Sequence, residues 1–509
     1  MEPRIARRIL AGALVLATAA NLLFDGAAIG INLPIWVALA VVALGIVGPG
    51  PVDPVDSWLP VVAVAAAVPP ALWTDPTIVA LDRVVVLVAL LAWALAVGGV
   101  RVTRRAAEEV VALGGWCGLL VAVAAARVLG SANADHGLER PVASLGRGLP
   151  VLRGLLVAAP VLAVFTLLLA SADAVFSRGL ELATEVVVDP VDPLRRSVWI
   201  TLLAWPVAGL LAVAAGVGST VVAPLGLGDA RVVEVAVRGD ETRSAAVPWL
   251  RRWRTDALTV LVAVDLLFAV FVALQVAYLF GGRDTLELTG LTYSAYARQG
   301  YFQLVAVVVL AGLLLVGIHA VAGPGRVMRA GGLVLLGLTA VILVSAAYRL
   351  YLYQAAYGWT ELRFYVAASI AWLGAAIVIA AALLVTQRMR WLPHGLAVAA
   401  VVITLGVSYL GPQAFVVHQN VARVLDPSLV APGGFSGFDA EYAVGLGYDS
   451  VPVLVAALDR FEPADRRTVL QALEWRRQVL DDDPGFEHWA AWNVARERAR
   501  EALGSLPSP

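Results

Sequence analysis

The sequence predicts an all-α fold: a bundle of about 11–12 transmembrane helices followed by a small helical domain. Three observations predict it. Of the 509 residues, 60% are hydrophobic and only 15% are charged, where a soluble domain carries about 25% charged residues. Mean hydropathy is +0.82. The apolar residues also come in runs long enough to cross a bilayer, and from about position 411 the composition changes to one with charged runs such as 481–483.

The runs fall at 9–24, 31–47, 58–73, 78–97, 110–129, 149–169, 198–217, 257–279, 301–321, 330–347, 362–385 and 396–410. A helix needs about 20 mainly apolar residues to span the hydrocarbon layer. The first three runs are short and broken by Gly and Pro. Trp58, Trp73, Trp249, Trp359 and Trp391 stand near run ends, where indole rings settle at the headgroup level. The chain divides at the sequence level into N-terminal segments 1–148, a core 149–410 and a tail 411–509.

Arginine sets the orientation, because short loops rich in it stay in the cytoplasm. The 226–255 loop holds six arginines, and by alternation Arg326 with Arg329 and Arg388 with Arg390 share its side. The 281–300 loop, the 351–361 loop and the tail then lie outside. Arg4, Arg7 and Arg8, the cluster at Arg101, Arg104 and Arg105, and that at Arg140, Arg147 and Arg153 also call for the inside. All fit if 110–129, which carries Gly114, Gly115 and Gly118, is re-entrant, which makes eleven spans. The N-terminus resembles a signal peptide, but further spans follow at once, so an uncleaved first span is expected.

Composition excludes several function classes. Net charge is −1, so no basic field draws nucleic acid. None of the 37 basic residues is lysine, a bias of GC-rich bacterial coding. The single cysteine, Cys117, permits no intrachain disulfide or multi-cysteine metal site. His136, His319, His394, His418 and His488 stand at no metal-ligand spacing, and no P-loop, Rossmann or GxSxG fingerprint appears. No cofactor is expected.

In the tail, Asp449 and Ser450 are placed to cap a helix with Pro452 in its first turn, and Pro463 opens another to about position 480. Phe486, Trp489, Ala490 and Val494 recur at helical spacing and predict a third, amphipathic helix. The 432–437 stretch reads as a loop.

Three stretches carry a resemblance: PVLRGLLVAAPVLAVFTLLLASADAVFSRGL at 150–180, VAYLFGGRDTLELTGLTYSAYARQGYFQLV at 276–305 and SAAYRLYLYQAAYGWTELRFYV at 345–366. Together they resemble the bacterial polytopic membrane proteins of domain-of-unknown-function family 4173, or its neighbour 4153. The tail fits as well, through Asn420, Arg423, Asp439, Tyr442, Asp449 and Pro452. The resemblance covers roughly 150–458. It implies an integral membrane protein and transfers no catalytic residue.

Polar groups at membrane depth are costly and mark candidate sites. Asp265 lies a third of the way along 257–279; Gln275 follows on the same run, about 80° round the helix. The two share a face only partly, and Asp265 reads as a proton- or cation-coupling acid facing a cavity or as a structural interhelix hydrogen bond. Tyr296, Arg298 and Gln303 form one aromatic and polar rim. Arg349, Tyr353, Glu361 and Arg363 form another, suited to an anionic or sugar-like ligand or to interfacial anchoring. On the orientation above both rims face the tail. Three functions are consistent with these features: a non-enzymatic envelope sensor, scaffold or assembly component; a secondary transporter; and an enzyme acting on a lipid-linked substrate. The expected partners are the lipid bilayer of the bacterial cytoplasmic membrane and another envelope protein bound through an extracytoplasmic tail.

Overall fold

The computed structural model describes residues 3–48, 52–104, 193–215, 254–280, 301–431, 434–435 and 437–506. Most of these residues are helical, with no strand among them. The spans at 110–129 and 149–169 lie outside them, as do Tyr296 and Arg298. Six described helices are long and apolar enough to cross a membrane, and four shorter apolar helices accompany them. The chain is an all-α polytopic membrane protein.

Two compact units emerge. The first comprises Met1–Ala71, Arg83–Gly239 and Pro484–Trp492; the second comprises Leu72–Asp82, Asp240–Asp483 and Asn493–Pro509.

In the first unit, α1 (Pro3–Phe24), α2 (Asn32–Val47), α3 (Leu59–Ala67), α4 (Pro69–Leu72), most of α5 (Pro76–Val97) and α6 (Pro193–Ala214) follow in order. Helices α1 and α6 pack along small residues. Ala6, Ala13 and Ala17 on one and Ala208 and Ala212 on the other are buried, which lets two backbones approach where lipid supplies no hydrophobic drive. The run read as one span at 58–73 breaks at Val68, because Pro69 and Pro70 restart the helix without the N–H groups needed to continue it. Helices α5 and α6 end together, with Gly98 against the Val213 carbonyl.

In the second unit, α7 (Arg254–Phe280), α8 (Tyr301–Ala322), α9 (Arg326–Tyr357), α10 (Glu361–Val385) and α11 (Leu392–Leu410) form the bundle. Its core gathers Leu261, Leu315, Met328, Leu335 and Leu384, with Ile342 and Ala346 in a second cluster. Leu266, Leu310, Val344, Val378 and Val402 are exposed on the outer faces, as lipid-facing positions are. Trp372 donates to the Leu396 carbonyl at 3.2 Å, joining α10 to α11.

The tail is helical but partly unlike the sequence expectation. α12 (Pro412–Leu425) follows α11 after a single residue, Gly411. Gly411 takes φ +65°, and a Cβ there would stand 2.7 Å from the Trp73 ring. Only glycine meets both demands. Then come α13 (Ala440–Gly445), α14 (Val451–Ala457), α15 (Pro463–Asp482), the turn α16 (Pro484–Glu487) and α17 (Val494–Gly504). The amphipathic helix expected over Phe486–Val494 does not form. Pro484 opens only one turn, a 3-10 turn covers Trp489–Ala491, and Asn493 starts a new helix by accepting from the Arg496 N–H.

Candidate functional site

The polar residues of the second unit converge where its tail meets the bundle ends. The long helix α9 explains why. Sequence reading ended this span at 347 and left 351–361 as a loop. The helix in fact runs on to Tyr357 and stops at Gly358, whose φ of +78° reverses the chain. The last four carbonyls of a helix have no partner within it. Here the tail supplies those partners.

Arg423 on α12 donates from Nη1 to the Gln354 carbonyl at 3.3 Å and the Ala355 carbonyl at 2.7 Å. Its Nη2 donates to the carbonyls of Ala356 at 3.2 Å and Phe435 at 3.3 Å. The backbone N–H groups of Ala431 and Phe435 add bonds to Ala355 and Ala356. Arg363 donates to the Tyr357 carbonyl at 3.2 Å and to the Gly358 carbonyl, and its guanidinium stacks 4.1 Å from the Tyr353 ring centre. Two cations thus sit on the negative end of the α9 dipole. Burial, and secondarily the charge of Arg363, lower the pKa of the Arg423 guanidinium, which stays charged.

Asn420, one turn before Arg423, closes the corner. Its Oδ1 accepts from the Trp359 N–H and its Nδ2 donates to the Trp359 carbonyl, both at 2.8 Å. The start of α10 is completed the same way. The Glu361 N–H donates to the Tyr442 hydroxyl at 2.8 Å, and Thr360 accepts from the Arg363 N–H. Trp359, Phe364 and Phe415 pack edge to face at 5.2–6.4 Å beneath. Such pairs add to burial alone.

A second joint forms at the start of α5. Asp449 accepts from the Thr74 N–H at 2.9 and 3.1 Å and from the Thr74 hydroxyl at 3.2 Å. It therefore does not cap its own helix: Ser450 occupies the N-cap of α14, without a side-chain cap. Burial pushes the Asp449 carboxyl up to about 6, against the hydrogen bonds from Thr74. Asn493 donates to the Trp73 carbonyl at 3.1 Å while capping α17. Gln413 links the two joints, donating to Glu361 at 2.9 Å and accepting from the Gly447 N–H at 2.8 Å.

The corner encloses a cavity of about 80 Å³, lined by Tyr357, Gly358, Asn420, Arg423, Phe435 and Asp439 among others. That is room for a few waters at most, well below the ~300–1,000 Å³ of ligand clefts. Of the residues singled out in the sequence, Tyr353, Glu361 and Arg363 join this corner. Arg349 lies two turns back along α9, beside the stacked Tyr348 and Tyr351. Gln275 and Gln303 sit on α7 and α8. Asp265 stands apart from the corner, with Oδ2 beside Gly331 of α9 and a buried Oδ1 that has no hydrogen-bond partner among the described residues. No group of three His, Cys, Asp or Glu side chains suited to a metal is found among the described residues. Thr74 and Gln413 carry no signal in the sequence, and Trp73 reads there only as an interfacial ring. Among tail residues, Asn420, Arg423 and Tyr442 are marked by the resemblance without a role, and Asp449 is marked as a helix cap.

Residues 61–457 match the family model described as Domain of unknown function (DUF4153), the second of the two families the sequence resembles. No curated protein and no solved structure matches the chain.

Proposed function

This chain belongs to the family described as Domain of unknown function (DUF4153), and on that premise we propose that it is a non-enzymatic envelope sensor, scaffold or assembly component. The tail is its working surface. One observation carries this reading: the arginines and the asparagine of the corner are spent on backbone groups of α9 and the turn after it, which docks the tail. Bidentate donors that bind a helix end are not on offer to an anionic substrate.

The orientation we propose places the tail outside the cytoplasm. In the second unit the tail meets the residue 73–75 and 358–361 turns, while Arg326, Arg329, Arg388 and Arg390 stand at the opposite helix ends. In the first unit the tail piece 484–492 bonds to the α1–α2 turn, through Ala28 to Gly485 and Ile31 to Trp492. Arg7 and Arg8 lie at the other end of α1. The Asp53–Asp56 turn, at the end of α2 away from that contact, holds Arg101 and Thr103. Each unit by itself separates the tail from its arginine clusters, and the positive-inside rule assigns the arginine side to the cytoplasm.

The test is photo-crosslinking in cells from Trp475, which is exposed on α15. A scaffold yields a discrete protein adduct that is lost when Arg423→Ala undocks the tail while the spans remain inserted. Absence of any such adduct from the folded chain counts against it. Asp265 favours a second reading, transport, because its buried oxygen has no partner among the described residues. That reading requires Asp265→Asn to abolish flux in a normally folded protein.

A further inference from the structure

Two carboxylates share one face at the start of α5, Asp75 just before its first residue and Asp82 within it. Seven residues separate Asp75 from Asp82, about 20° short of two full turns, and Asp82 stands about 9 Å along the helix from Pro76. Both are 0% exposed, but their surroundings differ. Asp75 accepts from the Thr77 N–H at 2.8 Å, the Ile78 N–H at 3.4 Å and the Tyr365 hydroxyl of α10 at 2.9 Å. That set of donors solvates a negative charge at a helix N-terminus.

Asp82 has one donor among the described residues. The Ser408 hydroxyl of α11, itself 0% exposed, reaches Oδ1 at 2.8 Å. Oδ2 is buried and has no hydrogen-bond partner among the described residues. Among the described residues, the other titratable groups near it are neutral or turned elsewhere. Tyr409 of α11 lies within electrostatic range and is neutral. Tyr365 of α10 is engaged with Asp75. Arg83, the next residue, points about 100° away round the helix.

A carboxylate anion at membrane depth with one neutral donor lacks several kcal/mol of solvation that nothing here replaces. A carboxylic acid at the same place needs far less, and Oδ2 is then the oxygen that carries the hydrogen.

We propose that Asp82 is a proton-binding site, a carboxylic acid held neutral against Ser408 of α11 within the second unit. Proton loss places an unsolvated charge beside Ser408 and loosens the hold of the first turns of α5, up to Asp82, on α11. The site lies just beneath the Asp75–Tyr365 pair and the Thr74–Asp449 joint, so its proton exchanges from the tail side. This assignment does not depend on the scaffold reading.

The experiment uses the full chain in lipid nanodiscs, with dicyclohexylcarbodiimide as the probe. This reagent adds to protonated carboxyls in apolar surroundings, and peptide mass spectrometry locates the adduct. The expected result is modification of Asp82 at pH 7, falling at least tenfold when the pH is raised through its titration. Infrared spectra at pH 7 should show a carboxylic-acid carbonyl band that moves in Ser408→Ala and disappears in Asp82→Asn, each variant eluting as wild type. The Ser408→Ala shift keeps the test valid if Asp82→Asn fails to fold. An unmodified Asp82 with no acid carbonyl band at pH 7 overturns the proposal. So does modification blocked by millimolar sodium, which marks a metal-cation site instead.

Discussion

The bundle core and the tail corner of the second unit are held together by different physics. Around Leu384 and Leu335 the helices meet through apolar side chains with few polar partners. At the corner, side chains and backbone from the tail complete helix ends that their own helices leave open: Arg423 on Gln354–Ala356, Arg363 on Tyr357, Tyr442 on Glu361. The same device recurs inside the tail, where Arg476 of α15 donates to the Val444 carbonyl at 2.5 Å and to the Leu446 carbonyl, at the end of α13. A bundle in lipid can rely on packing because every interior backbone group is already bonded within its helix. The ends, where water competes, need directed bonds. Arg363, Arg423 and Arg476 are thus engaged in completing helix ends, and the two regions should fail independently.

The largest effect is expected in the core. Leu384→Ala removes a fully buried side chain and should cost about 2–5 kcal/mol. Thermal unfolding in detergent should fall while the folded protein keeps its tail protected from protease. Arg423→Ala should do the reverse. It strips several charge-assisted bonds from α9, worth about 2–4 kcal/mol, so the tail becomes cleavable near Asp426 while bundle unfolding barely moves. A smaller effect is expected from Gly358→Ala. The φ of +78° costs an L-residue about 1–2 kcal/mol, and the new methyl stands 2.7 Å from Asn420 Oδ1, so tail protection should weaken without being lost.

The smallest effect is a pH dependence. The folded-state pKa of Asp449 is raised to about 6, so the docked tail binds this proton more tightly than the released tail does. Its contribution is therefore greatest at low pH and is lost as pH rises through about 6. Between pH 7.5 and 5.5 the wild type should gain about 1 kcal/mol of tail protection relative to Asp449→Asn. Equal slopes in the two proteins would separate Asp449 from the docking.

The bundle was legible because hydropathy is a local property. Ten of the apolar runs lie over described helices, and the ends of α10 and α11 fall close to the sequence estimate. The corner was less legible, for specific reasons. The tyrosine-rich stretch after Arg349 looks like an interfacial rim, but its residues continue α9 because the tail caps that helix from outside. The Gly411–Pro412 pair signals a helix end, which it is, and also a helix start, which only the Trp73 contact reveals. Asp449 sits where a cap belongs, yet its partner Thr74 lies 375 positions away. Spacing rules carry no information at that distance. The expected helix over 486–494 had the right apolar period, but Pro484 and the Asn493 cap divide it.

The most direct test of the account is which face of the membrane carries the tail. In a Cys117→Ser background, one variant places a cysteine by Ala464→Cys, exposed at the start of α15. A second uses Thr386→Cys, exposed at the far end of α10. Intact cells are treated with a membrane-impermeant thiol reagent, with lysed cells as the control. Labelling of the tail position in intact cells, and of the α10 position only after lysis, is the predicted result. The reverse pattern would place the tail in the cytoplasm and contradict an extracytoplasmic working surface.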